Sequence, residues 1–210
     1  IPLRLVGSEM CIRDRSKSVI MVLLAASKSS TLKVYKMNSI SLSDISEAQV
    51  ILKEVLVETP TVQMKSDRWE GILPDIKGGA IKMELFQQAG SFKARGAYLG
   101  IQQISEREKL KGVVAASGGN HALAVAWAAK KAGVSAKIAM PKATDEMRIN
   151  GCHALGAEVI LCRDIADAFS KMETCASDEG RTIMHPFEGR HMTLGLSLIH
   201  ISEPTRRRGI

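Results

Sequence analysis

The sequence predicts an α/β protein built on an open, mostly parallel sheet flanked by helices. Four short apolar runs, GVVAAS (112–117), AKIAMP (136–141), AEVILC (157–162) and RTIMHP (181–186), have the length of buried strands and follow one another at intervals of about two dozen residues. Between them lie NHALAVAWAAKKAG (120–133), TDEMRINGCHALG (144–156) and DIADAFSKMETCASDEG (164–180), which are long enough for helices. Gly133, Gly156 and Gly180 close those three runs, at the position where a helix end needs a residue that enters the left-handed region freely. Strand, helix, strand at this spacing implies parallel pairing through right-handed crossovers.

The elements upstream follow in order. SDISEAQVILKEVL (43–56) opens on a capping Ser43 or Asp44 and places Ile45, Ala48, Ile51, Leu52 and Val55 on one helical face. ETPTVQM (58–64) breaks it at Pro60, because the residue before a proline is pushed out of the helical region. GAIKMELF (79–86) reads as a strand and FKARGAYLGIQQI (92–104) as a helix with Lys93 in its first turn, while EREK (106–109) is a solvated helical start. There is no low-complexity tract and no repeat beyond the βα alternation.

Charge and composition exclude several functions. The formal charge of +7 resides in the flanks: residues 1–36 carry seven Lys/Arg and two Asp/Glu, residues 196–210 three and one, and residues 37–195 hold 19 of each sign. A neutral core is not expected to bind nucleic acid. No run approaches the ~20 apolar residues of a membrane span. Cys11, Cys152, Cys162 and Cys175 form no C-x-x-C pair and have no histidine at zinc-ligand spacing, so no metal site is expected, and the cysteines read as reduced thiols of a cytoplasmic protein. The segment SVIMVLLAAS (18–27) imitates a secretory signal. The stretches LVGSEMCIRDR (5–15) and LSLIHISEPTRRRGI (196–210), however, resemble conceptual translations of sequencing-adapter DNA. The expected organisation is therefore a non-native or upstream flank over 1–36, a core over 37–195 with Met37 as a plausible start, and an adapter-like tail over 196–210.

Two segments carry chemistry. SGGNHA (117–122) follows the first strand of the regular series, at the carboxyl end where ligands of open α/β sheets bind. Its two glycines let a ligand approach the backbone, and the helix start behind them offers free N–H groups to an anion such as carboxylate or phosphate. A tight βα turn with a capping Asn120 accounts equally well for the same residues. Lys93 stands between Phe92 and Ala94, and two residues before Arg95. A nucleophilic lysine must shed its proton, which partial burial or a nearby positive centre such as Arg95 or the helix start would favour. On composition alone a solvated lysine is the commoner case.

Taken together, KMELFQQAGSFKARGA (82–97) and AASGGNHA (115–122) closely resemble the fold-type II pyridoxal-phosphate enzymes, specifically the serine/threonine dehydratase and serine racemase group. The resemblance runs over roughly 37–195 and includes TPT (59–61), LGAEVIL (155–161) and HPFEG (185–189). It implies the N-terminal portion of a tryptophan synthase β-like catalytic domain, with a small subdomain at about 112–188. It also implies pyridoxal 5'-phosphate as cofactor, with Lys93 as the Schiff-base lysine and base at the substrate Cα. Phe92 would pack beside the cofactor and Asn120 would bond its 3′ oxygen. Ser117, Gly118, Gly119, Asn120 and His121 would grip the substrate carboxylate. The implied reaction converts L-threonine or L-serine to a 2-oxo acid and ammonia, in a homo-oligomer whose partner is a small amino acid and neither nucleic acid nor membrane.

Departures refine that expectation. Racemases of the group carry a second loop serine where this chain has Gly118, which favours dehydration; Thr61 stands where leucine usually follows Thr-Pro. The group's glycine-rich phosphate cup belongs to a later part of the fold than Gly195, so the chain as written is expected to hold the cofactor weakly or not at all. His153 reads as a surface or packing residue, His185 as a cap or core residue, and Trp127 and Tyr98 as packing aromatics. Two alternatives stay open: a serine racemase or other amino-acid lyase on the same scaffold, and a non-catalytic α/β module that binds a small anion at SGGNHA.

Overall fold

The computed structural model describes residues 40–64 and 79–201. The signal-like segment, the 1–36 flank and Cys11 lie outside the described residues. The first helix, α1 (Leu42–Lys53), is capped by Ser41 rather than by the expected Ser43 or Asp44, because Ser41 forms a full capping box with Asp44: Asp44 N–H donates to Ser41 Oγ at 3.2 Å and the Asp44 carboxylate accepts Ser41 N–H at 2.8 Å. It buries Ile45, Ala48 and Leu52, while Ile51 is exposed.

The stretch expected only to break α1 becomes β1 (Thr61–Met64), antiparallel to β2 (Gly79–Lys82) with Val62 opposite Ile81. The strand predicted over 79–86 therefore ends at Lys82. Beyond it Glu84–Phe86 and Gln88–Gly90 are two 3₁₀ turns, and the chain reverses through Ala89 (φ 56°) and Gly90 (φ 68°) before α2 (Lys93–Gln103). Helix α3 (Glu106–Lys111) repeats the capping box with Ser105 and Glu108.

From there the predicted alternation is observed element by element: β3 (Val113–Ala116), α4 (Asn120–Ala132), β4 (Ala136–Pro141), α5 (Glu146–Ala154), β5 (Glu158–Cys162), α6 (Ile165–Glu179) and β6 (Thr182–Ile183). A further helix, α7 (Arg190–Ile201), follows where the sequence predicts no element, and it takes in residues 196–201 of the stretch expected to be an adapter-like tail. The four strands form one parallel sheet in the order β5-β4-β3-β6. Gly133, Gly156 and Gly180 all have positive φ, as helix-terminating glycines should.

Strand β3 explains why its sequence is a continuous apolar run. Val113 and Ala115 face a core shared with α4, Ile138 and Met140, whereas Val114 and Ala116 face a second core with Ala168, Met172 and Cys175 of α6. A central strand covered on both faces needs no polar alternation. A third cluster joins Ile45, Ala48 and Leu52 of α1 to Leu99 of α2 and to Leu194 and Leu198 of α7. Helices α2 and α7 meet backbone to backbone, since a Cβ on Gly195 would lie 2.7 Å from the Gly96 Cα. Cys152, Cys162 and Cys175 are buried free thiols, and burial pushes the Cys152 thiol up to about 11.

Candidate active site

The site lies where two neighbouring parallel strands end. Strand β3 runs into Ser117, Gly118 and Gly119 and then α4, and β6 runs into Met184, His185, Pro186 and Phe187. Both segments are pinned to the sheet: Ser117 N–H donates to Ala139 O at 3.0 Å and Met184 N–H to Val114 O at 2.8 Å.

Lys93 is 9% exposed, and its Nζ donates to the Pro186 carbonyl at 2.7 Å. The ammonium lies 5.6 Å from the Phe92 ring centroid and 5.3 Å from that of Phe187, within the range of cation–π attraction. The lysine expected from sequence to be special is thus a buried amine between two aromatic rings. Arg95 does not serve as a free positive centre beside it. Its fully buried guanidinium makes a two-pronged pair with Glu84, Nε to Oε2 at 2.9 Å and Nη2 to Oε1 at 2.8 Å.

His121 ties the glycine loop to the β6 exit. Its Nε2 lies 2.8 Å from the Met184 carbonyl, and because a carbonyl only accepts, Nε2 carries the proton and Nδ1 is left as a buried acceptor with no partner among the described residues. Burial lowers the imidazole to about 4 against the opposing effect of Met184, with the Lys93 cation, His185 and His191 adding repulsion. His121 is therefore neutral at physiological pH.

In the loop, Gly119 N–H donates to Ser117 Oγ at 3.1 Å and Ala122 N–H to Gly119 O at 3.1 Å. The N–H groups of Gly118, Asn120 and His121 have no protein acceptor among the described residues, as the first turn of a helix requires. Arg148 of α5 donates to the Gly118 carbonyl at 2.9 Å, which draws that oxygen away from the N–H groups. A Cβ at Gly118 would stand 2.6 Å from Thr144 Oγ1, so any side chain there would have to displace that hydroxyl. Asn120 is exposed at the loop's rim.

The remaining sequence candidates take structural places. His185 Nδ1 accepts from Glu188 N–H at 3.0 Å and its ring packs 5.7 Å from Phe169, a turn-capping role. His153 is exposed, and Tyr98 and Trp127 stack at 5.7 Å. Glu84, Arg148 and Thr144 carry contacts that the sequence reading assigned to none of them; the acidic residue before SFKAR was the available signal for Glu84, but it was absorbed into a predicted strand. A separate concavity of about 250 Å³, bordered by Leu52, Leu56, Arg95 and Leu198, holds none of the Lys93 or loop residues. Among the described residues there is no cluster of three metal-ligating side chains, and no helix is long and apolar enough to cross a membrane.

The site thus brings a buried lysine amine and a glycine loop with unclaimed main-chain N–H groups to the carboxyl ends of the parallel strands of an α/β protein. A family model described as "Pyridoxal-phosphate dependent enzyme" matches residues 59–200. The chain belongs to that family, whose cofactor is pyridoxal 5'-phosphate. It is similar to an L-threonine ammonia-lyase of Thermotoga maritima, 41% identical over 163 residues that make up 76% of this chain and 39% of the relative. It is likewise similar to a phenylserine dehydratase of Ralstonia pickettii, 36% identical over 75% of this chain and 47% of the relative. Among solved structures, the serine racemase of Dictyostelium discoideum superposes with a TM-score of 0.68 at 27% identity, covering 80% of this chain and 54% of that one. The chain thus spans less than half the length of these two curated relatives.

The residues present fit the aldehyde and ring end of the cofactor. Lys93 offers a buried amine flanked by rings, and the polar atoms Ser91 Oγ and His121 Nδ1 are buried without a partner among the described residues.

Proposed function

We propose that Lys93 carries pyridoxal 5'-phosphate and that the complete protein converts L-threonine or L-serine to a 2-oxo acid and ammonia. The observation that carries this reading is the buried Lys93 amine at the exit of β6, in a chain whose glycine loop leaves main-chain N–H groups unclaimed. The names of the T. maritima and R. pickettii relatives, an ammonia-lyase and a dehydratase, support it.

When bound, the cofactor supplies an electron sink at the substrate Cα. Lys93 Nζ would hold the cofactor and would serve as the base for the substrate Cα proton. Phe92 would pack beside the ring, and Asn120 would bond its 3′ oxygen. Ser117, Gly118, Gly119, Asn120 and His121 grip the substrate carboxylate. The ring of His121, neutral and committed to Met184, offers a lone pair rather than a proton, so its share of that grip comes from the main-chain N–H. Water leaves in the elimination and water re-enters in the hydrolysis that frees ammonia, so the net change is amino acid to 2-oxo acid plus ammonia.

In the same reading the complete protein is a cytoplasmic homo-oligomer acting on a small amino acid. Residues 37–195 contribute the first part of its catalytic domain, and about 112–188 form a small subdomain.

The test is reductive trapping. The complete protein is incubated with pyridoxal 5'-phosphate, reduced with borohydride, digested and mapped by mass spectrometry. An adduct on Lys93 is expected; none, or one spread over surface lysines, would favour the non-catalytic anion-binding module. A racemase reading draws on the solved neighbours named for that activity. Release of a 2-oxo acid from L-threonine, set against formation of D-serine, separates the two in the complete protein.

A further inference from the structure

The start of α2 is poorly held by its own end. Phe92 occupies the cap position and its side chain makes no capping bond, the chain arrives through two consecutive left-handed residues, and the first closing bonds are 3₁₀-like, Ala94 N–H to Ser91 O at 3.3 Å and Arg95 N–H to Phe92 O at 3.2 Å. Yet Lys93 sits in that first turn. A four-carbon stem on a loosely fixed turn would let the amine sweep a wide arc.

What fixes the turn lies beside it. The Arg95 fork closes on Glu84 through two bonds, and such a planar pair constrains rotation as well as distance. Glu84 Oε1 also accepts the hydroxyl of Thr59 at 2.5 Å, and Thr59 is 3% exposed. Lys82 Nζ donates to the Thr59 carbonyl at 3.1 Å. The Gln87 amide then grips the main chain of Val57 from both sides, accepting its N–H at 3.0 Å and donating to its carbonyl at 2.7 Å. The TPT segment and the helix carrying Lys93, more than 30 residues apart in sequence, are thereby joined through a single carboxylate.

We infer that Thr59 and Glu84 are positioning residues for Lys93: the chain Thr59–Glu84–Arg95 sets the first turn of α2 and with it the place where the amine is presented. This rests on the proposed role of Lys93 but is tested apart from it.

Thr59→Val removes the hydroxyl at nearly constant shape, Thr59→Ser keeps it, and Glu84→Gln keeps the shape of the carboxylate without its charge. Two rates at Lys93 are followed by peptide mass spectrometry: capture of pyridoxal 5'-phosphate quenched by borohydride, and cofactor-free methylation by formaldehyde and cyanoborohydride. Thermal melts accompany both. Capture is expected to slow about tenfold in Thr59→Val and Glu84→Gln, the effect of losing one bond to a charged group, and to stay within about twofold of the unmodified chain in Thr59→Ser. Equal slowing in Thr59→Val and Thr59→Ser would assign the effect to packing and overturn the proposal, as would unchanged rates in Thr59→Val. If the complete protein captures no cofactor at Lys93 the proposed function fails, and where the unmodified chain captures none methylation decides positioning separately: a rate altered in Thr59→Val and restored in Thr59→Ser upholds it, and one rate throughout overturns it.

Discussion

The amine of Lys93 and the carbonyl oxygen of Pro186 lie 2.7 Å apart, although 93 residues separate them in the chain. The next residue, Phe187, is 67% exposed and places its ring 5.3 Å from the same amine. The ring adds attraction for the ammonium that the carbonyl already holds. Phe187→Ala should therefore free Lys93, raising its labelling by an amine reagent about two- to fivefold, in keeping with a cation–π contact of ~0.5–1 kcal/mol. The melting temperature should move little, because an exposed ring buries little surface.

His121 gives the fold an acid-sensitive joint. Burial holds its imidazole neutral and lowers it from 6.5 to about 4, so between those values the unfolded chain binds a proton that the folded chain refuses. Stability from this group is complete above pH 6.5, falls as the pH drops toward 4 and changes no further below that. The full loss amounts to about 3 kcal/mol. Urea unfolding of the chain at pH 7.5 and pH 4.5 should show it, and His121→Gln should flatten the difference.

The regular half of the fold was legible in the sequence because each signal there was local. The β3, β4, β5 and β6 runs are short and mostly apolar, and Gly133, Gly156 and Gly180 each have a positive φ that the helix end demands. The region before α2 was less legible. Glu84 continues an apolar-looking run, yet its carboxylate is needed 11 residues later by Arg95, and the chain must leave β2 early to deliver it. Thr61–Met64 pair as a strand only because Gly79–Lys82 lie alongside. In the site, Lys93 and the loop were visible as residue types in order. The partners Pro186, Phe187, Thr144 and Arg148 were not, since nothing in a single sequence says which distant turn meets which amine.

Gly118 offers a steric test of the loop. A Cβ there would meet Thr144 Oγ1 at 2.6 Å and Pro141 Cδ at 3.4 Å, and Thr144 is itself anchored by its N–H to Pro141 O at 2.9 Å. Gly118→Ser should destabilise the chain by about 1–3 kcal/mol, as overpacking does. Thr144→Ala in the same chain should recover most of that loss, giving a marked coupling in a double-mutant cycle. The same contact bears on the racemase alternative, because the second loop serine of that group would have to occupy space that Thr144 fills.

The Glu84–Arg95 pair separates stability from placement. Arg95 has no exposed surface and the Glu84 side chain is 13% exposed, so both charges are largely withdrawn from water. Removing one partner is the costly change: Glu84→Leu leaves the buried guanidinium without its carboxylate and should cost about 3–5 kcal/mol. Replacing both, as in Glu84→Leu with Arg95→Met, removes the desolvation of both ions together and should cost far less than the two single changes combined, since buried pairs exchanged for apolar side chains often come out near neutral. Chemical unfolding of the three variants measures this. If the pair existed for stability alone, the double variant would behave at Lys93 as the unmodified chain does. If the fork places the lysine, the double variant will fold well and still capture pyridoxal 5'-phosphate slowly, because two flexible apolar side chains fill the same volume without fixing the rotation of the helix that carries the amine.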